Sequence, residues 1–395
     1  MNEPTEAGKT SGSSVQRLPL SHRLLANARS APGLIIAIAI IWLIFVIATD
    51  GIFISDRNLV NLMRQTSVTA IIAMGMMVVI AQGEIDLSVG SMLGVICTVI
   101  ALLESSGAVP FWVTILVALA LGMTAGTWNG LWVARLGIPA FVATLGGLLA
   151  FRGISRALSG GRTIAGVREE IRFMGEAFLT GPILWAFLAA GFALALLPLR
   201  RMRGTDPVTR RGALIASGAG LIVMAALSWA TLSYRGLPLP VAIALGVAVV
   251  LAWALRNTVW GRHVYAIGGN RLASRVAGIP IGFQVVSGFV LIGVLTALGA
   301  LLFVGRLGSA PPEAGLFLEL EAIAAVVIGG ASLYGGSGTV VGVLLGALLM
   351  QSLSNGLSLL NVETAYQNIT SGLVLMLAVY VDAVSKRGGR PFVRL

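Results

Sequence analysis

The chain has 395 residues, 57% of them apolar and 11% charged, with a formal net charge of +11 and a single cysteine, Cys97. Soluble domains carry about 25% charged residues, so a soluble enzyme and a disordered chain are excluded, and a lone cysteine excludes an internally bridged secreted scaffold. Long uncharged apolar runs, in place of short alternating segments, exclude a membrane β-barrel and leave an all-α polytopic membrane protein.

Residues 1–32 are polar and read as a cytoplasmic tail. The apolar run Ala31–Thr49 is longer than a signal-peptide core and lacks a small-x-small exit, so it reads as a retained first helix. In the tail, Gly8-Lys9-Thr10 imitates the end of a phosphate-binding loop, but Glu3 stands where that loop needs its first glycine and no strand precedes it. Lys9 and Lys386 are the only lysines, so nucleotide hydrolysis needs another polypeptide.

Uncharged stretches then follow at 30–49, 65–83, 87–103, 105–134, 136–151, 177–199, 212–234, 236–255, 276–305, 322–362 and 364–381. A crossing takes about 20 apolar residues. The 41-residue stretch 322–362 is too long for one and divides at Gly335-Gly336-Ser337-Gly338. Ten to twelve transmembrane helices result, because the short, glycine-interrupted segments near 139–151 and 321–334 read either as crossings or as broken or re-entrant helices. The tryptophans, Trp112, Trp128, Trp132, Trp185, Trp229, Trp253 and Trp260 among them, mostly flank crossings as interfacial anchors.

Glu84 and Asp86 stand out within the almost uninterrupted apolar region 64–104. A carboxylate at mid-membrane costs about 2.5–3.5 kcal/mol on the insertion scale and usually faces a cavity, an ion or a hydrogen-bond partner. Either the backbone breaks here and the carboxylates line a polar path, or this is a solvated turn at the membrane face. Composition alone fits both.

Seventeen of the 27 basic residues fall in the N-terminal tail, 200–211, 256–275 and 386–394. Placing all four inside satisfies the positive-inside rule and puts both termini in the cytoplasm, with 386–395 as the C-terminal tail. Segment 152–176 resists this scheme, since it holds five arginines yet falls outside. Segment 256–280 is too polar to cross and too long for a turn. Leu272, Val276 and Ile279 recur there at helical spacing after Gly268-Gly269-Asn270. A short amphipathic helix lying along the membrane is expected, cupped by a partner or resting on lipid. His263 has no second ligand near it, so no metal site is expected. At an offset of 246, Gly83/Gly329, Leu87/Leu333, Gly90/Gly336 and Ser91/Ser337 coincide, the kind of paired glycine interruption found in transporters built from an internal repeat.

The stretches Thr49-Asp50-Gly51, GEIDLSVGSM at 83–92, AFRGI at 150–154, YRGLPLP at 234–240, GRHVYAIGGN at 261–270, AGI at 277–279, ELEAIAAVVIGGASLYGGSGTVVG at 319–342 and SLSNG at 352–356 resemble the permease subunits of bacterial sugar-importing ABC transporters. The likeness is to the ribose/xylose/arabinose group and spans nearly everything but the tails. Glu84 and the extra apolar pair at 182–232 favour its xylose branch.

That resemblance implies a transmembrane permease domain over 33–385, with 182–232 as an inserted helix pair and 256–280 as a cytoplasmic coupling segment. It implies an inner-membrane protein forming a homodimer in the lipid bilayer, served by a cytoplasmic ABC ATPase and by a periplasmic or tethered sugar-binding protein. No nucleic-acid partner is implied, and no cofactor or catalytic residue on this chain. Gly269, Asn270, Ala273, Ala277 and Gly278 match the family's contact with the ATPase, while Glu84, Asp86 and Ser88 match a signature associated with the sugar path. Two other classes fit the residues alone: an ion-coupled secondary transporter in which Glu84 and Asp86 bind a proton or cation, and a multi-pass scaffold.

Overall fold

The computed structural model describes residues 31–200 and 234–386, with scattered positions between 214 and 232. The tails, most of the basic loop 200–211 and most of the second half of the expected inserted pair lie outside the described residues.

Within the described residues the chain is a helical bundle of fourteen α-helices. In order these are α1 (Ala31–Ala48), α2 (Asp56–Ala81), α3 (Val89–Ser106), α4 (Phe111–Ala134), α5 (Ala140–Ser159), the short α6 (Glu169–Glu176) and α7 (Gly181–Arg200). There follow α8 (Leu239–Asn257), α9 (Val259–Gly269), α10 (Arg271–Val276), α11 (Ile281–Leu307), α12 (Leu318–Ile328), α13 (Val340–Leu359) and α14 (Thr364–Lys386). Two tiny antiparallel clips join the connections: β1 (Ile164–Ala165) with β4 (Ser309–Ala310), and β2 (Phe178–Leu179) with β3 (Leu237–Pro238). Prolines 110, 139, 238 and 280 sit at the N-caps of α4, α5, α8 and α11, while Gly107, Gly160 and Gly308 end α3, α5 and α11. This is the asymmetry expected from proline's missing N–H and glycine's tolerance of a left-handed cap.

Seven helices among the described residues, α2 to α5, α8, α11 and α13, are long and apolar enough to cross a membrane. Gly33–Ala48 and Gly181–Ala193 are shorter apolar helical segments. The 139–151 region is a full helix of 20 residues, α5. Counting between charges had cut it at Arg152, but that guanidinium donates to the carbonyl of Ala314 at 3.2 Å and is accommodated inside the bundle. The 321–334 region does contain a broken helix: α12 has 11 residues, enough for about 16 Å at 1.5 Å per residue, roughly half a bilayer core.

Every residue from Ser67 to Gln82 is buried, so α2 is the central post. It packs against α8, α11, α12 and α13. By contrast α4 and α5 expose Trp112, Trp128, Phe141 and Leu149, faces suited to lipid. Since lipid is as apolar as leucine, helices here gain from close backbone approach through small residues. Gly122, Gly126 and Gly130, spaced by four, face α11: a Cβ on Gly122 would stand 2.2 Å from the Gly293 carbonyl oxygen, and one on Gly126 2.1 Å from that of Phe289.

The resisting segment 152–176 is explained by pairing. Arg168 forms a two-pronged bridge to the buried Glu104, at 2.9 and 3.0 Å, and Thr114 donates to the same carboxylate at 2.6 Å. Arg172 pairs with Glu176 one turn away at 2.9 Å. With Arg152 on its carbonyl, three of the five arginines have partners within the protein, and the segment's charge is not a free basic cluster.

The proposed repeat survives as two breaks but not as matched conformation. Gly83 has φ +83° while its counterpart Gly329 is in the right-handed helical region, and Gly336 has φ +76° while Gly90 lies within α3.

Replacing Gly126 by leucine should lower the stability of the detergent-solubilised protein by about 1–3 kcal/mol or more, the cost of overpacking a tight contact. Gly146→Ala, in the interior of α5 where a Cβ meets nothing within 4 Å, should hold or slightly raise the thermal midpoint, because alanine favours the helix.

Candidate functional site

α2 ends at Ala81, and the chain stays irregular from Gln82 to Ser88 before α3 begins. Inside a bundle such a break leaves backbone donors and acceptors that need partners, and they are found. The Glu84 N–H donates to the Val79 carbonyl at 3.1 Å, and the Leu87 N–H donates to Thr144 Oγ1 at 3.1 Å. Asp86, fully buried, accepts from the Ser88 N–H at 2.8 Å and its hydroxyl at 2.7 Å through Oδ1. Asn129 of α4 donates to Ser88 Oγ at 2.8 Å. Asp86 Oδ2 and Glu319 Oε2 have no hydrogen-bond partner among the described residues. Gln82 donates to the Gln284 carbonyl and Gln284 to the Trp260 carbonyl, both at 2.8 Å, which stitches α2 to α11 and α11 to α9.

The second break, Gly329–Thr339, touches the first. The Gly336 N–H donates to the Ala81 carbonyl at 2.9 Å. Gly268, near the end of α9, is wedged between them: a Cβ there would lie 1.9 Å from the Ala81 oxygen and 2.4 Å from the Gly336 nitrogen. Tyr265, one turn earlier, donates its hydroxyl to the Gly338 carbonyl at 3.0 Å. Three backbone segments therefore meet at one end of the bundle.

The expected amphipathic segment is two helices. Thr258 caps α9, accepting from the Gly261 N–H at 3.1 Å, and Asn270 caps α10, accepting from the Ala273 N–H at 2.9 Å. Val264, Ile267 and Ser274 face the bundle. Gly269, Asn270, Ala273, Ala277 and Gly278 are all exposed. Beside them Leu272 is 72% exposed and Val276 84%, with Phe283 70% exposed at the start of α11. Gly278 has φ +78° and open space where a Cβ would sit, so the turn after α10 accounts for the glycine without any close neighbour.

Glu84, grouped in sequence with Asp86, turns to a different partner. It forms an ion pair with Arg271, the first residue of α10. Asp86 and Ser88 instead join Asn129 inside the bundle. The one signature thus reaches both the exposed segment and the interior. Sequence reading missed Gly268, Arg271, Tyr265 and Asn129. A polar Asn129 inside the uncharged run 105–134 was a usable signal, whereas nothing distinguished Gly268 from Gly269.

These neighbouring glycines give a sharp test. Gly268→Ala should cost about 1–3 kcal/mol or more by forcing three backbones apart. Gly269→Ala, with nothing within 4 Å of the new Cβ, should melt as the parent does. Thermal unfolding of both variants checks the pair.

Residues 58–379 match the family described as the permease component of the branched-chain amino acid transport system. The chain is 42% identical over 365 residues to the xylose transport system permease protein XylH of Haemophilus influenzae, covering 90% of this chain and 96% of that one. To XylH of Escherichia coli K12 it is 40% identical over 367 residues, covering 90% and 92%. To the ribose import permease protein RbsC of Haemophilus influenzae it is 36% identical over 361 residues, covering 91% and 94%. No solved structure matches it. A match running from the start of α2 through most of α14 takes in both breaks and the exposed segment between them, and the chain belongs to this family of transport-system permease components.

Proposed function

We propose that this chain is the membrane-spanning permease subunit of an ATP-driven monosaccharide importer, with D-xylose as its substrate. It would work as a homodimer in the bacterial inner membrane, with ATP hydrolysis on a separate cytoplasmic ATPase and sugar brought by a binding protein. The xylose assignment is supported by 40–42% identity to the xylose permeases against 36% to the ribose permease.

The observation that carries the mechanism is the exposed α9–α10 segment, whose inner face is locked onto the two backbone breaks. Its outer face offers Leu272 and Val276 between Arg262, Arg271 and Arg275. Exposed apolar side chains in a polar surround mark a docking face, and a few such anchors carry most of an interface's energy. With Arg256 these arginines put a basic cluster at this end, and the positive-inside rule supports a cytoplasmic location for it. Closure of the ATPase on ATP would shift α9–α10, and the shift would pass through Gly268 and the Glu84–Arg271 pair to the Gln82–Ser88 break. The helices that follow would then alternate between outward-open and inward-open arrangements. Asp86 and Ser88 hold the shape of that break, and no bond of the sugar is made or broken.

Leu272→Asp and Val276→Asp alter only exposed side chains, so folding should be preserved. Each should reduce co-purification of the ATPase about tenfold or more, with loss of ATP-driven uptake. ATPase retention at parental levels in both variants would remove this segment from the coupling contact.

A further inference from the structure

We infer that a polar cavity between α2, α11, α12 and α13 is a monosaccharide subsite on the translocation path, an inference that rests on the importer reading above. The cavity has a volume of about 340 Å³, at the small end of the range of about 300–1,000 Å³ for ligand pockets. Gln65 and Thr69 of α2, Glu321 of α12, Gln351 and Ser354 of α13 and the Phe303 ring of α11 line it. Gln351 donates to Thr69 Oγ1 at 2.8 Å and to Glu321 Oε2 at 3.0 Å, so three of these polar groups form one network.

Its place in the fold matches a transport site. Thr69 lies 13 residues from Asp56 and 12 from Ala81, so the cavity sits midway along the central post, about 18–20 Å from either end at 1.5 Å per residue. One wall is the start of the half-length α12 and the irregular turn before it, with Gly315 at φ +73° and Phe317 at φ +62°. Non-helical backbone at membrane depth is tolerated where it lines a cavity, and transporters build midplane sites from such discontinuous helices.

The approach from the Asp56 end is polar as well. A second cavity of about 580 Å³ opens at the Asp56 end of α2, opposite the exposed α9–α10 segment, and holds Asn58, Asn61 and Arg64. Arg306 lines both cavities. Asn58, Asn61, Gln65 and Thr69 recur at three- and four-residue spacing, so one face of α2 forms a continuous polar stripe from mouth to midplane. The chemistry suits a neutral polyol: amides and a guanidinium donate, carboxylates accept, hydroxyls do both, and Phe303 adds an apolar side chain to the lining. The cavity between α8 and α11, about 670 Å³, is lined by side chains such as Val250, Phe283 and Val294 and offers no such array.

The test uses the full permease with its ATPase and binding protein in proteoliposomes. Uptake of labelled D-xylose is followed for Gln65→Leu and Gln351→Leu, alongside ATPase co-purification. Each should lower uptake about tenfold, Gln351→Leu by removing a buried hydrogen-bonded amide and Gln65→Leu by removing a polar group from the cavity wall, while the ATPase stays bound. Uptake within twofold of the parent in both variants overturns the subsite.

A second measurement does not depend on the substrate. In a Cys97→Ser background, Ser354→Cys, a near-isosteric change, should react with a membrane-impermeant thiol reagent, and D-xylose with its binding protein should slow that reaction. An unreactive Cys at 354 means a dry cavity and overturns the subsite. A parent complex that hydrolyses ATP but takes up no monosaccharide strikes the importer reading itself, whereas uptake of a hexose and not of D-xylose strikes only the xylose assignment. A reactive Cys at 354 that a hexose protects would then keep the subsite and reassign its sugar.

Discussion

The contact on which the rest depends is one of bare backbone. The Gly336 N–H is bonded to the last carbonyl of α2, and Gly268 packs directly against that pair, leaving no room for a side chain. Because the three segments touch through main chain, displacement of one moves the others, with no flexible side chain to absorb it. Tyr265 on Gly338 and Arg271 on Glu84 add polar ties on either side. The joint lies where a soluble partner can reach one member, α9–α10, and where the other two lead into the bundle.

The interior follows the same economy. Each helix break is placed where side chains supply the missing partners: Thr144 for the Leu87 N–H, and Asp86 for that of Ser88. Charged groups follow it too, with Glu104 held by Arg168 and Thr114. In hydrocarbon an unsatisfied polar group costs several kcal/mol, and the two helix breaks that reach the junction and the midplane cavity are places where irregular backbone is partnered within the bundle. Those are the regions where a transporter needs groups that can rearrange.

Much of this was legible in the sequence. Charge spacing set most of the helices, and the carboxylates of GEIDLS flagged the stretch between α2 and α3, although composition left a break and a solvated turn equally open. Legibility failed where a charge is satisfied by tertiary structure. Arg152 looked like the end of a helix but lies inside α5, and the arginines of 152–176 looked like a basic loop but are largely paired. Pairwise chemistry was equally hidden. Glu84 and Asp86 are two residues apart yet face opposite tasks, because Arg271 is 187 residues from its partner. The midplane cavity could not be read at all, since Thr69, Glu321 and Gln351 are ordinary polar residues until α2, α12 and α13 bring them together.

The central claim is that α9–α10 and the Gln82–Ser88 break move as one body. In a Cys97→Ser background, Glu84→Cys and Arg271→Cys together replace the ion pair with two thiols that a short bifunctional reagent can bridge. ATP-driven uptake should be measured in the complete complex before and after bridging, with the cross-linked fraction read from the same sample. If the two segments travel together, the bridged complex transports at the rate of the unbridged one. Arrest of transport on bridging, with the ATPase still bound and active, would show that the segments must separate during the cycle and would contradict the account.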